Sequence, residues 1–265
     1  MERTDSRVII LPESSSWQRS DNYISSSDRY NFGNAFKKCS KYFHRLFRMN
    51  HMDFEFAFWQ MVYLFSNPKK VYRNFQYRKQ TKNQFARDDP AFLVLLSIWF
   101  IISATGLSLV LHLHFVGFIK FLLWVVLVDC ILIGMIVASI FWFITNFFLK
   151  KKSNQDVEWG FTFDVHLNAF FPPLLILHVF QLFFYNVFIS TDSFLARLFG
   201  NTLFMIAVTY YCYITFLGYS SLSFLQHTER ILYPLVPLFL FYFMATLAGH
   251  NICRTIMDFY HYRVY

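Results

Sequence analysis

Five apolar stretches follow one another along the chain from Ala91 almost to the C-terminus, separated by short polar segments. They run at about 91–111, 121–149, 171–190, 203–223 and 231–250. The first, AFLVLLSIWFIISATGLSLVL, has no charged side chain and is long enough to cross about 30 Å of hydrocarbon as an α-helix. The pattern therefore predicts an all-α, polytopic membrane protein, with a five-span domain at 91–250 and a tail at 251–265.

The residues before the first span divide into two regions by composition. Residues 1–35 are rich in Ser, Asp, Asn and Arg, which predicts a disordered cytosolic tail. Residues 36–90 mix basic and aromatic positions and contain DFEFAFWQMVYLF, an apolar segment of only 13 residues. Because it is too short to span, we expect an amphipathic helix on the cytosolic surface or in the membrane interface.

Basic residues are concentrated before the first span. Residues 36–87 hold twelve Lys or Arg and two acidic residues, a local charge of +10 in a chain of formal net charge +8. Such a block acts as a topogenic signal and as a contact for anionic head groups. With the N-terminus in the cytosol, the cytosolic flanks carry nine basic residues against four, which predicts a luminal C-terminus. The nine are Arg73, Arg78, Lys79, Lys82, Arg87, Lys150, Lys151, Lys152 and Arg230, and the four are Lys120, Arg197, Arg254 and Arg263.

The segment VYRNFQYRKQTKNQF, at 71–85, interleaves aromatic and basic side chains. Stacked rings with phosphate-neutralising charges hold single-stranded RNA. The same composition beside a span binds anionic head groups and anchors rings in the interface, and the adjacent first span favours lipid. RNA binding is kept as a secondary hypothesis. The contact candidates here and in the loop after the second span are Tyr72, Arg73, Tyr77, Arg78, Lys79, Lys82, Lys150, Lys151 and Lys152.

Asp129, in the second apolar stretch, is the only acidic residue deep in a span, and the third stretch contains His178 and Gln181. A carboxylate in mid-membrane costs about 2.5–3.5 kcal/mol on insertion scales, so Asp129 needs a partner, a proton or a wet cavity. A structural polar clamp between helices is the favoured interpretation. A proton or ion relay through Asp129 and His178, as in a small transporter or channel, is the alternative.

Motifs of catalysis are missing from the sequence, which has no Walker loop, H-E-x-x-H, G-x-S-x-G or dinucleotide fingerprint. Asp164, His166 and Asn168 alternate before the third apolar stretch without a further ligand at metal-site spacing, and we interpret them as polar residues of the membrane interface. The sequence therefore predicts a protein that is not an enzyme and uses no metal or cofactor.

Three segments resemble the Unc-fifty (uncoordinated-fifty) family of Golgi membrane proteins. They are MDFEFAFWQMVYLFSNPKKVYRNFQYRKQTKNQFARDDPAFLVLL at 52–96, WGFTFDVHLNAFFPPLLILH at 159–178 and FLGYSSLSFLQHTERILYPL at 216–235. The resemblance covers nearly the whole chain from about residue 40. It implies five spans, a cytosolic N-terminus and residence in Golgi membranes, with the inner nuclear membrane as a second location.

The resemblance also implies a function in vesicular traffic. Members of the family are expected to support cell-surface expression of nicotinic acetylcholine receptors, to bind Arf guanine-nucleotide exchange factors and to bind RNA. The family has no established catalytic residues, so none is transferred to this chain. The leading hypothesis is a non-enzymatic Golgi trafficking factor whose cytosolic arm and loops dock a peripheral exchange factor.

Overall fold

A computed structural model describes residues 52–73, 90–151 and 155–264. Within these ranges the secondary structure is helical, apart from one isolated antiparallel bridge between Lys150 and Leu225. The helices are α1 Phe54–Ser66, α2 Ala91–Val110, α3 Phe115–Leu149, α4 Trp159–Ile189, α5 Phe194–Ser220, α6 Thr228–Leu247 and α7 Ile252–Val264. The predicted tail at 1–35 and most of the 36–90 region lie outside the described residues.

Helices α2 to α6 are long and apolar enough to cross a membrane, so the prediction of an all-α, five-span protein is confirmed. Two of them begin well before the apolar stretches that predicted them. Helix α4 starts at Trp159 rather than near 171, because Asp164, His166 and Asn168 are buried inside the bundle as helical residues. Helix α5 starts at Phe194, where the Ser193 hydroxyl accepts a hydrogen bond from the Ala196 N–H at 3.1 Å and caps the first turn.

Helix α4 is continuous through Pro172 and Pro173 but not regular. A proline removes one N–H from the helical ladder and pushes on the carbonyl one turn earlier. The next segment, Ile176–Phe180, is wound as a π-helix, the wider turn that absorbs such a defect. Helix α3 has a π-helical segment of its own at Val125–Leu132, which includes Asp129.

The bundle is built around α4 and α5, which pack along each other. Helix α3 packs on α4, α6 packs on α5, and the short helices α1 and α7 fill opposite ends of the assembly. We call the end formed by α1 and the loops 150–158 and 221–227 the basic end, and the end formed by the loops 111–114, 190–193 and 248–251 the opposite end. The outer faces of α3 and α6 are apolar and exposed, as at Phe147 and Leu247, which suits contact with lipid chains.

Glycines allow the closest helix contacts. A Cβ at Gly134 of α3 would lie 2.7 Å from Cδ2 and 2.8 Å from Nε2 of His166 on α4. A Cβ at Gly218 of α5 would lie 2.9 Å from both methyl groups of Val165. Small residues let membrane helices approach closely and gain van der Waals contact. This contact takes the place of the hydrophobic driving force, which is absent between helices in lipid.

Replacing Gly134 by Ala should destabilise the protein by about 1–3 kcal/mol, since the added methyl overpacks a fixed histidine ring. The gain in helix propensity from Gly to Ala is at most about 1 kcal/mol and does not offset the clash. Thermal unfolding of the purified protein in detergent measures the change. Ile136→Ala, at an exposed position of the same helix, is the control and should shift the unfolding temperature less. An unchanged or raised unfolding temperature for Gly134→Ala would contradict the contact.

Candidate functional site

Helix α1 forms part of the basic end and is held on the bundle by polar contacts. The Asp53 carboxylate caps its start, accepting a hydrogen bond from the Phe56 N–H at 2.9 Å. Buried Gln60 donates from Nε2 to Oδ1 of Asn168 on α4, also at 2.9 Å. At the C-terminal end of α1, the Tyr210 hydroxyl of α5 lies 3.0 and 2.9 Å from the carbonyl oxygens of Leu64 and Phe65. The helix predicted for the interface is therefore docked on α4 and α5.

The outer side of α1 is apolar and aromatic. Phe58 and Val62 are about half exposed, while Trp59 and Tyr63 turn toward Lys70 on the helical segment 68–73. The Lys70 ammonium lies 4.1 Å from the Tyr63 ring centre and 5.3 Å from that of Trp59, and donates to the Tyr63 hydroxyl at 3.0 Å. This hydrogen bond from Lys70, together with the lysine charge, lowers the pKa of Tyr63 below its ordinary value. Apolar, aromatic and cationic side chains that lie side by side on one surface are typical of a membrane interface.

The predicted lipid- or RNA-contact residues are placed differently from one another. Tyr72 is 2% exposed and packs against Gly218, so its ring belongs to the core. Arg73 is exposed beside it. Tyr77, Arg78, Lys79 and Lys82 lie outside the described residues, as does Lys152. Among the candidates of this arm that the structure describes, Arg73 is the side chain open to a partner.

Lys150 and Lys151 join the two loops of the basic end. Lys150 forms an ion pair with Asp156 in its own loop. Lys151 donates from Nζ to the Ser223 carbonyl at 2.9 Å, and its backbone N–H donates to the Phe224 carbonyl at 3.0 Å. These lysines therefore fix the shape of the surface as well as its charge.

Asn146 is a structural residue of this loop that the sequence analysis missed. Its side-chain Oδ1 accepts from the Val157 N–H at 2.8 Å and its Nδ2 donates to the Val157 carbonyl at 3.1 Å. The amide thus bonds both backbone groups of Val157, as a neighbouring β-strand would, and holds the 150–158 loop closed. An Asn near a helix end is common, and nothing in the sequence distinguishes this one.

His166, near the middle of the bundle, connects three helices. Its Nδ1 lies 2.9 Å from the Tyr211 hydroxyl of α5, and its ring packs against Gly134 of α3. His166 is 4% exposed and lies among protein groups. Asp164 and Asn168 are similarly buried, so this trio serves helix packing rather than an exposed interface.

Asp129 pairs with the C-terminal helix. The Arg263 guanidinium of α7 lies 3.4 Å from the Asp129 carboxylate, measured between Nη1 and Oδ1. The same guanidinium lies over two rings, 4.5 Å from the Trp124 centre and 3.9 Å from the Phe259 centre. The rings shield the ion pair on its outer side and add cation–π attraction. The sequence suggested a partner for Asp129 on α4, whereas its charged partner lies on α7, at the end of the chain.

His178 also meets α7. Its Nε2 lies 3.3 Å from the Tyr260 hydroxyl, and the two rings make an edge-to-face contact. Burial raises the pKa of Tyr260, and the nearby Asp129 carboxylate adds to the shift, so the hydroxyl keeps its proton as a donor. Gln181 is buried on α4 one turn further on. Asp129 and His178 are thus joined through Tyr260 and Arg263.

The geometry of these polar groups fits a structural clamp. Asp129, His178 and His166 each find a charged or hydroxyl partner on another helix, as expected for polar groups away from water. Among the described residues, no group of three or more His, Cys, Asp or Glu side chains is arranged to hold a metal ion.

The amino-acid sequence is similar to that of known proteins over most of its length. The model of the UNC-50 family matches residues 42–261. The chain belongs to the UNC-50 family. A human relative, Protein unc-50 homolog, is 58% identical over 226 residues, which is 84% of this chain and 87% of that protein. The Danio rerio protein of the same name is 52% identical over 261 residues, 96% of this chain and all of the relative.

The relationship extends beyond vertebrates. The Drosophila melanogaster UNC-50 homolog is 53% identical over 232 residues, covering 87% of this chain and 84% of the relative. No solved structure matches the chain. The family resemblance is therefore confirmed, and the protein is a multi-pass membrane member of the UNC-50 family.

Gln60→Leu should loosen α1 from the bundle, because it removes the buried donor to Asn168. Loss of one partner of a buried hydrogen bond costs about 1–3 kcal/mol. Limited proteolysis between residues 52 and 73, followed by mass spectrometry, measures the detachment. Glu55→Gln changes an exposed position of the same helix and should leave cleavage unchanged. Equal cleavage of both variants would show that the Gln60 contact does not hold α1.

Proposed function

We propose that this UNC-50 family protein is a non-enzymatic Golgi membrane protein that acts in vesicular traffic. Its basic end would dock an Arf guanine-nucleotide exchange factor and so support cell-surface expression of membrane receptors such as nicotinic acetylcholine receptors. The observation that supports this best is the construction of the basic end: α1 and the two loops are joined to the bundle by hydrogen bonds. A surface fixed in this way is pre-organised for a protein partner.

The proposal places the basic end in the cytosol and α7 on the luminal side. The exposed basic residues Lys69, Arg73, Lys151 and Arg230 lie at the basic end, as the positive-inside rule favours for a cytosolic face. The resemblance adds the inner nuclear membrane as a second location. It also adds RNA as a secondary ligand of the 66–90 arm.

The transporter alternative has less support. It requires Asp129 and His178 to face a shared wet path, whereas each contacts α7. An Arg partner for the carboxylate is the arrangement of a clamp, in which neither charge is free to carry an ion.

Reversing two exposed charges, Lys69→Glu with Arg73→Glu, should weaken recruitment of the exchange factor and lower receptor density at the cell surface. The physical reason is that both side chains are exposed at the basic end and replacing them changes the local charge by −4 without breaking a described contact. Surface receptor counts and co-precipitation of the exchange factor measure the effect. The control is Lys120→Glu, an exposed basic residue near the start of α3 at the opposite end. If Lys120→Glu reduces recruitment as strongly, the basic end is not the docking surface.

The arm itself can be tested as a lipid ligand. A peptide of residues 66–90 should bind anionic liposomes, and changing Arg73, Arg78, Lys79 and Lys82 to Gln should weaken binding by up to about 4 kcal/mol, roughly 1 kcal/mol for each charge at the surface. Binding should also fall as salt rises, because the Debye length is about 8 Å at physiological ionic strength. Liposome co-sedimentation measures both effects. Equal binding to neutral and anionic liposomes, or a much stronger preference for RNA, would contradict the lipid assignment.

A further inference from the structure

Helix α7 is firmly attached at its start. Asn201 of α5 is completely buried and uses its whole side-chain amide there: Oδ1 accepts from the Ile252 N–H at 2.8 Å, and Nδ2 donates to the His250 carbonyl at 2.9 Å and to the Thr246 hydroxyl at 3.1 Å. Asn251 adds a second attachment, donating to the Ile189 carbonyl at 2.9 Å. These contacts join α5, α6 and α7 at one point.

The same point contains a turn of the chain. Gly249, between α6 and α7, has φ +79°, a backbone conformation that glycine adopts without strain. Beyond it, the Asn251 Oδ1 accepts from the Arg254 N–H at 3.1 Å and caps α7. Cys253 is fully buried, with its thiol 3.0 Å from the Gly200 carbonyl. Residues 249–251 and the first turn of α7 are therefore a fixed point of the structure.

The polar contacts at the far end of α7 are longer than those at its start. The Tyr260–His178 and Arg263–Asp129 contacts measure 3.3 and 3.4 Å, at the long limit for hydrogen bonds. Asp129 Oδ2 and His178 Nδ1 are buried there without a hydrogen-bond partner among the described residues. The exposed face of α7 carries the polar side chains of Arg254, Asp258 and His261 together with Phe259 and Tyr262.

We propose that the C-terminal part of α7, beyond its fixed first turn, is a latch. Its Tyr260–Arg263 end closes over Asp129 and His178 or lifts from them, while its first turn stays fixed by Asn201 and Asn251. Lifting breaks the two long contacts and the packing of Tyr260 on Phe121 and of Arg263 on Trp124, and it lets water reach two buried atoms that the closed position leaves unsatisfied. The latch does not depend on the proposed trafficking function.

Two positions on the inner face of α7 can report the movement: the native Cys253, and residue 257 once Met257 is replaced by Cys. Cys253 is native and lies in the fixed turn, and Met257, 2% exposed, lies one turn closer to the moving end. Burial raises the pKa of the Cys253 thiol to about 12, so it reacts slowly with maleimide in the closed position. The experiment uses the full chain in nanodiscs with Met257→Cys and with Cys39, Cys130 and Cys212 replaced by Ala.

With the latch, Cys at 257 should react faster than Cys253. Adding Arg263→Gln should speed labelling at 257 on the order of tenfold, the factor corresponding to one charged hydrogen bond, and leave Cys253 unchanged. Asp192→Asn, which removes the exposed Arg197–Asp192 pair at the same end of the bundle, is the matched control and should change neither rate. Equal acceleration at both thiols would mean that α7 detaches as a whole, and no acceleration would mean that it is rigid; either result overturns the latch.

Hydrogen exchange on the unmodified protein provides a second measurement, in case Met257→Cys disturbs the fold. Arg263→Gln should increase exchange of the amides at 258–263 and spare those at 252–257. Helix ends fray in any case, so the difference between the variant and the parent protein is the quantity to compare. An increase spread evenly over 252–263, or none, would overturn the proposal.

Discussion

Polar side chains buried away from water must find partners inside the protein, and among the described residues α4 carries the largest set of them. Its Asn168, His166 and His178 each take a partner from a different element: Gln60 of α1, Tyr211 of α5 and Tyr260 of α7. Removing α4 from the centre of the bundle would leave all of these groups unsatisfied. These hydrogen bonds therefore help to fix where α1, α5 and α7 pack on α4.

The same requirement explains how two helices too short to span belong to the fold. Each of α1 and α7 has 13 residues, and each contributes a polar side chain to α4 together with an apolar stripe. Inside a membrane, van der Waals packing alone gives a helix little preference for protein over lipid, since lipid chains are as apolar as leucine. The polar contact supplies the preference for protein over lipid. It also sets the register, because only one rotation of the short helix brings the side chain to its partner.

The sequence was sufficient to predict the five spans, because hydropathy over about 20 residues is a local property. The beginning of α4 was missed because Asp164, His166 and Asn168 lower hydropathy in a helix that is shielded by protein. The sequence identifies Asp129 and His178 as polar groups in apolar stretches, but it does not identify their partners on α7. Arg263 is 134 residues from Asp129 along the chain, and no periodicity links residues that far apart.

The sequence also could not distinguish buried from exposed residues within the aromatic–basic segment. Tyr72 and Arg73 are neighbours in one aromatic–basic pattern, yet one ring is buried against Gly218 and the next side chain is exposed. Successive residues of a helix point about 100° apart, so one turn packed on the bundle separates them into core and surface. Composition describes the segment as a whole, whereas the docking of the 68–73 helical segment on α5 decides which member can meet a ligand.

Helix α4 contacts both α1 and α7, but an irregular part of its backbone lies between the two contacts. The Asn168 contact with α1 and the His178 contact with α7 lie ten residues apart, roughly 15 Å along the helix axis. Pro172 and Pro173 lie between them, followed by the π-helical segment Ile176–Phe180 that contains His178. Because the prolines remove hydrogen bonds from the ladder at this point, a small rotation of one half of α4 is transmitted incompletely to the other. The contacts with α1 and with α7 lie on either side of Pro172 and Pro173, so the two short helices are held by separate halves of α4.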